Sequence, residues 1–248
     1  SLHDAFRSPT GSGKSTTLYS ALRVMDAETQ NVSTVEDPVE YELDTINQVN
    51  VHESIGMSFS AALRSLLRQD PDVIMVGEIR DEETARIAVQ ASLTGHLVLS
   101  TLHTNDAPSS ITRLINIGIE PFLIAASVNG VIAQRLVRRI CANCRTQVTS
   151  VKDNVAAYLE RFGVSPETLC QGAGCAKCRH TGFKGRLGIY ELLEVDDDTR
   201  DVITSNPTLT ELRRYTRQQG MRSLREDGLE KVSRGLTTIE ELMRVTET

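Results

Sequence analysis

The chain has 248 residues, 40% of them apolar, 24% charged and 4% aromatic, with no tryptophan. That excludes a disordered polymer and fits one large domain, or a core domain with small additions. The formal charge of −6 at pH 7 and a pI near 5.5 argue against a protein built chiefly to grip nucleic-acid backbones, though not against one with a local basic groove.

No stretch approaches the ~20 apolar residues that span a bilayer. The best run, Phe122 to Val128, stops at Asn129 and Gly130, and Ser1 to Arg7 lacks the apolar block of a secretory signal. Residues 1–140 alternate between helical and strand patterns. A helix is predicted over Ser15–Thr29, with Leu18, Leu22 and Met25 on one face. Asn31–Val35 is short and β-branched. Phe59, Leu63, Leu66 and Leu67 repeat at helical spacing until Asp70-Pro71. Val73–Val76 is wholly apolar, as a buried parallel strand requires. Asp81 is the expected N-cap of a helix running to Thr94, with Gly95 behind it. Leu97–Leu99 reads as a third strand, and a helix follows from Ala107 to Ile117, with Gly118 behind it. This alternation predicts an α/β domain with a parallel sheet.

Residues 141–186 carry all five cysteines, many glycines and one short helical stretch near Val155–Phe162. From Asp196 the pattern is helical only. Thr208/Glu211 and Thr237/Glu240 have capping-box spacing, and Gly220 and Gly235 read as helix stops. Three regions are therefore expected, 1–140, 141–186 and 187–248.

Ser8-Pro9-Thr10-Gly11-Ser12-Gly13-Lys14-Ser15 fits the phosphate-loop pattern, except that Ser8 stands where glycine is usual. The glycines let the backbone curl so that successive N–H groups face an anion, and the helix behind adds its positive end. Lys14 is placed to reach the β- and γ-phosphates and the Ser15 hydroxyl to coordinate Mg²⁺. Pro9, Thr10, Gly11, Ser12, Gly13, Lys14, Ser15 and Thr16 are the nucleotide-binding candidates; the bland alternative is a Gly/Ser-rich turn before a helix. A phosphate loop should follow a buried strand. Ser1–Arg7, with only Leu2, Ala5 and Phe6 apolar, is not one. Either the fold lacks its first strand, which would leave the loop unsupported, or residues are missing between Arg7 and Ser8; the second is expected, with Cα atoms far beyond the ~3.8 Å of bonded neighbours.

Glu78 follows the apolar run, at the strand end where α/β sheets place ligands. A carboxylate there can orient water against a γ-phosphate or hold Mg²⁺ through water. Glu36 and Asp37 also follow a strand, with a turn before Pro38 as the alternative. Arg80 is placed to reach a phosphate or a neighbouring carboxylate, or to pair with Asp81 or Glu83. His96 and His103 flank the third strand, and either can be structural. Cys141-Ala142-Asn143-Cys144 and Cys175-Ala176-Lys177-Cys178 form two Cys-x-x-Cys pairs. Their four thiolates can close a tetrahedron around a structural zinc, as expected of reduced cysteines in the cytosol; four free thiols are the alternative. Cys170 fits neither pair, and His180 is a weak candidate ligand. Arg135, Arg138, Arg139 and Arg145 form a basic cluster, read either as a partner or lipid surface or as a solvated, ion-paired face.

Behind the loop, Thr34–Tyr41, Arg68–Asp72, Val76–Asp81, Thr94–His96 and Ser100–Asn105 together resemble the secretion ATPase superfamily, the hexameric motors of type II secretion and of type IV pilus assembly and retraction. The resemblance runs from Ser8 to about Thr246, and the family's N-terminal domains are not expected within this chain. The segments are similar to that family's Asp box, Walker B motif and His box, and the cysteine pairs to the tetracysteine module of its assembly motors. The resemblance implies a RecA-like P-loop NTPase core with a small four-cysteine metal module and a C-terminal helical subdomain. It implies ATP with Mg²⁺, a zinc ion, Glu78 and Glu36 as organisers of water and metal, and His103 as a γ-phosphate sensor. It further implies a homo-hexamer when the N-terminal domains are present, inner-membrane platform proteins as partners, and a cytoplasmic location peripheral to the inner membrane; no nucleic acid is expected, given the acidic balance and few aromatics. The family's arginine fingers come largely from a neighbour's N-terminal domain, so weak hydrolysis is expected of this region alone. Gly188–Asp198, especially Val195–Asp198, looks more like the type II secretion branch than the pilus-assembly branch. The expected function is an ATP-hydrolysing motor of type II secretion, with pilus assembly next. More remote alternatives are a nucleotide-switched scaffold with little turnover and a zinc-bearing nucleic-acid module.

Overall fold

The alternating pattern becomes α1 (Lys14–Leu22), β1 (Val32–Glu36), β2 (Asn47–Asn50), α2 (Phe59–Leu66), β3 (Val73–Val76), α3 (Glu82–Leu93), β4 (Leu97–Ser100), α4 (Ala107–Ile117) and α5 (Pro121–Ser127). It continues with β5 (Gly130–Ile140), β6 (Arg145–Gln147), α6 (Asp153–Arg161), β7 (Cys170–Gly172), β8 (Phe183–Glu194), α7 (Asp197–Thr204), α8 (Leu209–Gln218), α9 (Leu224–Ser233) and α10 (Ile239–Thr246). The computed structural model describes residues 13–151 and 153–246. The expected interruption between Arg7 and Ser8, and loop residues Pro9, Thr10, Gly11 and Ser12, lie outside the described residues.

Lys14–Val131 and Leu193–Gln219 form one compact unit. At its centre is a sheet of order β2-β1-β3-β4 in which every pairing is parallel. Val35 lies beside Val76, and Val76 beside Ser100, so β1, β3 and β4 end at one level. Successive strand residues point to opposite faces. Ile74 and Val76 accordingly meet Leu63 and Leu66 of α2 and Ile87 and Ala88 of α3. Val73 and Met75 point the other way, into a cluster with Leu22 of α1 and Val32. Coverage on both faces explains why β3 is apolar throughout, each such side chain stabilising the fold by ~1.5–3 kcal/mol. β4 ends the sheet among the described residues, and its Leu97 is exposed. Helix α7 packs against α5, and α8 against α4.

Two local differences from the sequence reading have physical causes. The first helix stops at Leu22 rather than Thr29. Behind Leu22 the ladder tightens to i→i−3 bonds, from the Val24 N–H to the Ala21 carbonyl and from the Met25 N–H to the Leu22 carbonyl, each at 3.2 Å, and Asp26 Oδ2 takes a local bond from Thr29 Oγ1 at 2.7 Å. The second is the last helix cap. Thr238, not Thr237, accepts the Glu241 N–H at 3.4 Å, with the Thr237 hydroxyl turned away to donate to the Arg138 carbonyl at 2.8 Å. The capping box at Thr208/Glu211 forms as expected, and Asp81 caps α3 through the Thr84 N–H at 2.8 Å. Gly220 and Gly235 take positive φ of 79° and 65° directly behind helices.

Ile132–Leu192 and the segment from Gly220 onward form the second unit. β5 and β8 pair as a ribbon, β6 and β7 as a short antiparallel pair, and α9 packs on α10.

Candidate active site and metal centre

The level ending of β1, β3 and β4 gathers the acidic and basic candidates. Gly77 continues β3 and donates its N–H to the Val35 carbonyl at 2.8 Å. A Cβ here would lie 3.3 Å from that oxygen, so a side chain would force the strand ends apart. The segments after β3 and β4 are then tied together. Thr101 Oγ1 donates to the Gly77 carbonyl at 2.7 Å, and the Ile79 N–H to the Thr101 carbonyl at 3.1 Å.

This tie brings Glu78 and His103 into contact. His103 Nε2 lies 2.9 Å from Glu78 Oε2, and Arg80 pairs with Glu78 Oε1. A carboxylate only accepts, so His103 donates from Nε2. Burial alone would raise the Glu78 carboxyl, but the bonds from Arg80 and His103 outweigh it and hold it below the usual glutamate value. Arg80 thus takes the neighbouring carboxylate. Of the other two acids it was placed to reach, Asp81 is spent on its cap and Glu83 on Arg64 at 2.7 Å. Lys14 opens α1, and its Nζ donates to the Leu102 carbonyl at 3.3 Å, one residue from His103. Ser15 and Thr16 lie in the first turn of that helix. His96 stands apart, with Nδ1 2.8 Å from the Ala91 carbonyl at the end of α3.

Glu36 is only 4% exposed. Thr34 Oγ1 donates to its Oε1 at 2.6 Å, Gln48 Nε2 donates to the same atom at 3.2 Å, and the Tyr19 hydroxyl donates to its Oε2. Sequence reasoning did not find Tyr19, Thr34 or Gln48 as partners of Glu36. The only signal was a tyrosine five residues after Lys14 on the same helix.

The four paired cysteines converge in the second unit, and their sulfurs all lie within 4.8 Å of one another. Cys144–Cys178 and Cys175–Cys178 are each 3.8 Å apart and Cys141–Cys175 4.0 Å. A tetrahedral centre of one zinc and four sulfurs with ~2.3 Å bonds has edges of ~3.8 Å, so the set has the size of a closed metal site. No disulfide links them. Burial and neighbouring thiols push Cys144 up to about 12. Burial also acts to raise Cys178, but backbone donors and neighbouring thiols bring it down to about 6. A cation held among the four sulfurs would favour the thiolate form of all of them. Close approach of Gly172 and Gly182 helps to shape this region, since a Cβ on either would run into the other's backbone. Cys170 and His180 lie outside the cluster. The basic cluster is partly spent, because Arg138 pairs with Glu241 at 2.8 Å and covers the Phe183 ring.

The sequence profile of the type II/IV secretion system protein family matches residues 6–244. The chain belongs to this family. It is 53% identical over 238 residues to the type II secretion system protein HxcR of Pseudomonas aeruginosa, covering 96% of this chain and 47% of that protein. It is 51% identical over 243 residues to the type IV pilus assembly ATPase PilB of Thermus thermophilus, covering 96% and 27%. The chain thus spans about half, or less, of the curated relatives it matches. The crystal structure of the pilus retraction motor PilT with bound ADP superposes with a TM-score of 0.71 at 31% identity, covering 97% of this chain and 60% of that one. The α/β fold with a RecA-like core and a four-cysteine group is the fold of this type II/IV secretion family member.

Proposed function

We propose that this chain is the ATP-hydrolysing region of a bacterial type II secretion motor that drives pseudopilus assembly and protein export. The observation that carries the reading is the meeting of Lys14, Glu78, Arg80 and His103 at the carboxyl edge of a parallel sheet, where α/β folds bind ligands. In this reading Lys14 leaves the Leu102 carbonyl for the β- and γ-phosphates, together with backbone amides of Thr10 to Thr16, while Pro9 shapes the loop without donating. Glu78, steadied by His103 and Arg80, orients the attacking water, and Glu36 assists from β1. His103 donates toward the γ-phosphate and registers its loss. Ser15, and Glu78 through water, would hold Mg²⁺, which supplies positive charge at the phosphate oxygens. Cys141, Cys144, Cys175 and Cys178 would hold zinc, which supplies a closed structural clasp.

Assembly of type IV pili is the second reading, favoured by near-equal identity to PilB and HxcR. Gly188–Asp198 supports the type II branch. The motor is read as a homo-hexamer of the full protein, working on inner-membrane platform proteins from the cytoplasmic side and using no nucleic acid. No described helix is long and apolar enough to cross a membrane.

Steady release of phosphate from MgATP by the full protein tests the reading. The parent should turn over, and Lys14→Ala should lose on the order of 10²-fold or more in rate. A parent with bound nucleotide and no release would instead point to a nucleotide-switched scaffold.

A further inference from the structure

We infer that Tyr19 is the positioning residue for Glu36, fixing the direction of that carboxylate for the hydrolytic step; the inference rests on the ATPase reading above. The two oxygens of Glu36 have divided duties. Oε1 accepts from Thr34 at 2.6 Å and from Gln48 at 3.2 Å, while Oε2 accepts from the Tyr19 hydroxyl. The direction of that last bond follows from counting protons. The phenol has one hydrogen, and its oxygen also receives the Glu40 N–H at 3.2 Å. An amide N–H only donates, so the phenolic hydrogen lies on the Glu36 side.

Tyr19 is well fitted to hold a direction. It is 1% exposed, and its ring lies against Tyr41 with centroids 4.2 Å apart. The Arg23 guanidinium sits 5.4 Å from the centroid of the Tyr41 ring. Burial, and then the bond to Glu36, push the phenol above its ordinary value, so the donor persists across the working pH range. A phenylalanine would fill the same space; what the hydroxyl adds is its link to Glu36 and to the Glu40 backbone. Lys14 and Tyr19 share α1. The helix that presents the phosphate-binding lysine therefore also sets the carboxylate, and any movement of it on nucleotide binding reaches Glu36 directly.

Single-turnover hydrolysis of MgATP by the full protein, which resolves rates far below the parent's, is compared for the parent, Tyr19→Phe, Glu36→Gln and the double variant. Tyr19→Phe is expected to slow the chemical step roughly 10- to 100-fold. Its calorimetric affinity for MgATP and its number of sites per chain should stay those of the parent. In the Glu36→Gln background the same change should cost nothing further, because its target is already disabled. A parent-like rate in Tyr19→Phe, an equal loss in both backgrounds, or a loss explained by fewer binding sites would each overturn the inference and leave the ATPase reading standing. A parent that does not hydrolyse MgATP would remove that reading, and the inference with it.

Discussion

Glu36 and Glu241 are buried and Glu78 is half-buried, and the groups that meet each carboxylate decide its role. Glu36 meets neutral donors and Glu78 a guanidinium and an imidazole near the solvent. Glu241 is 2% exposed and bonds Arg138 through its side chain and its N–H, each at 2.8 Å, and Arg244 at 2.9 Å. Burial alone would raise the Glu241 carboxyl, but these bonds outweigh it and bring it down to about 2. Its folded value thus lies below its unfolded one. The stabilisation is complete above the ordinary glutamate range and fades as pH falls toward about 2. Glu241→Gln should therefore melt below the parent at neutral pH, with the gap closing through that acid window. A gap independent of pH in thermal unfolding would contradict this. Lys14, Glu78 and the paired cysteines were legible because their spacing is tied to a backbone shape or a metal geometry. Tyr19 and Gln48 were not, because their bonds to Glu36 join positions 17 and 12 residues apart that only the fold brings together.

Among the elements, β3 and β4 could be read from short apolar runs. β2 could not, since Asn47-Gln48-Val49-Asn50 has one apolar residue and owes its strand form to backbone pairing with β1. The ribbon of β5 and β8 went unread for a related reason, as polar and apolar residues mix along Gly130–Ile140. The cysteine region shows the opposite balance, with weak elements and a strong chemical signal. β6 and β7 have three residues each, too little to persist without a staple. Elemental analysis should find one zinc per chain, and its chelation should release four thiols that were protected before it. Protein that carries no metal when fresh and titrates all five cysteines together would refute the clasp.

For the whole molecule, the nucleotide candidates from Lys14 onward belong to the first unit and the thiolate cluster to the second. The family, the α/β class and the site motifs were all visible in the sequence, because each depends on local spacing. Helices α7 and α8 fall in the first unit and α9 and α10 in the second, an arrangement that depends on tertiary packing and that helical periodicity does not encode. A triphosphate held at the start of α1 would face Glu36 at the end of β1 and Glu78 behind β3. Titration calorimetry of MgATP into the full protein measures this directly. Saturable binding that Lys14→Ala weakens by at least about tenfold is the predicted result. No heat of binding in the parent, or an unchanged Kd in the variant, would contradict it.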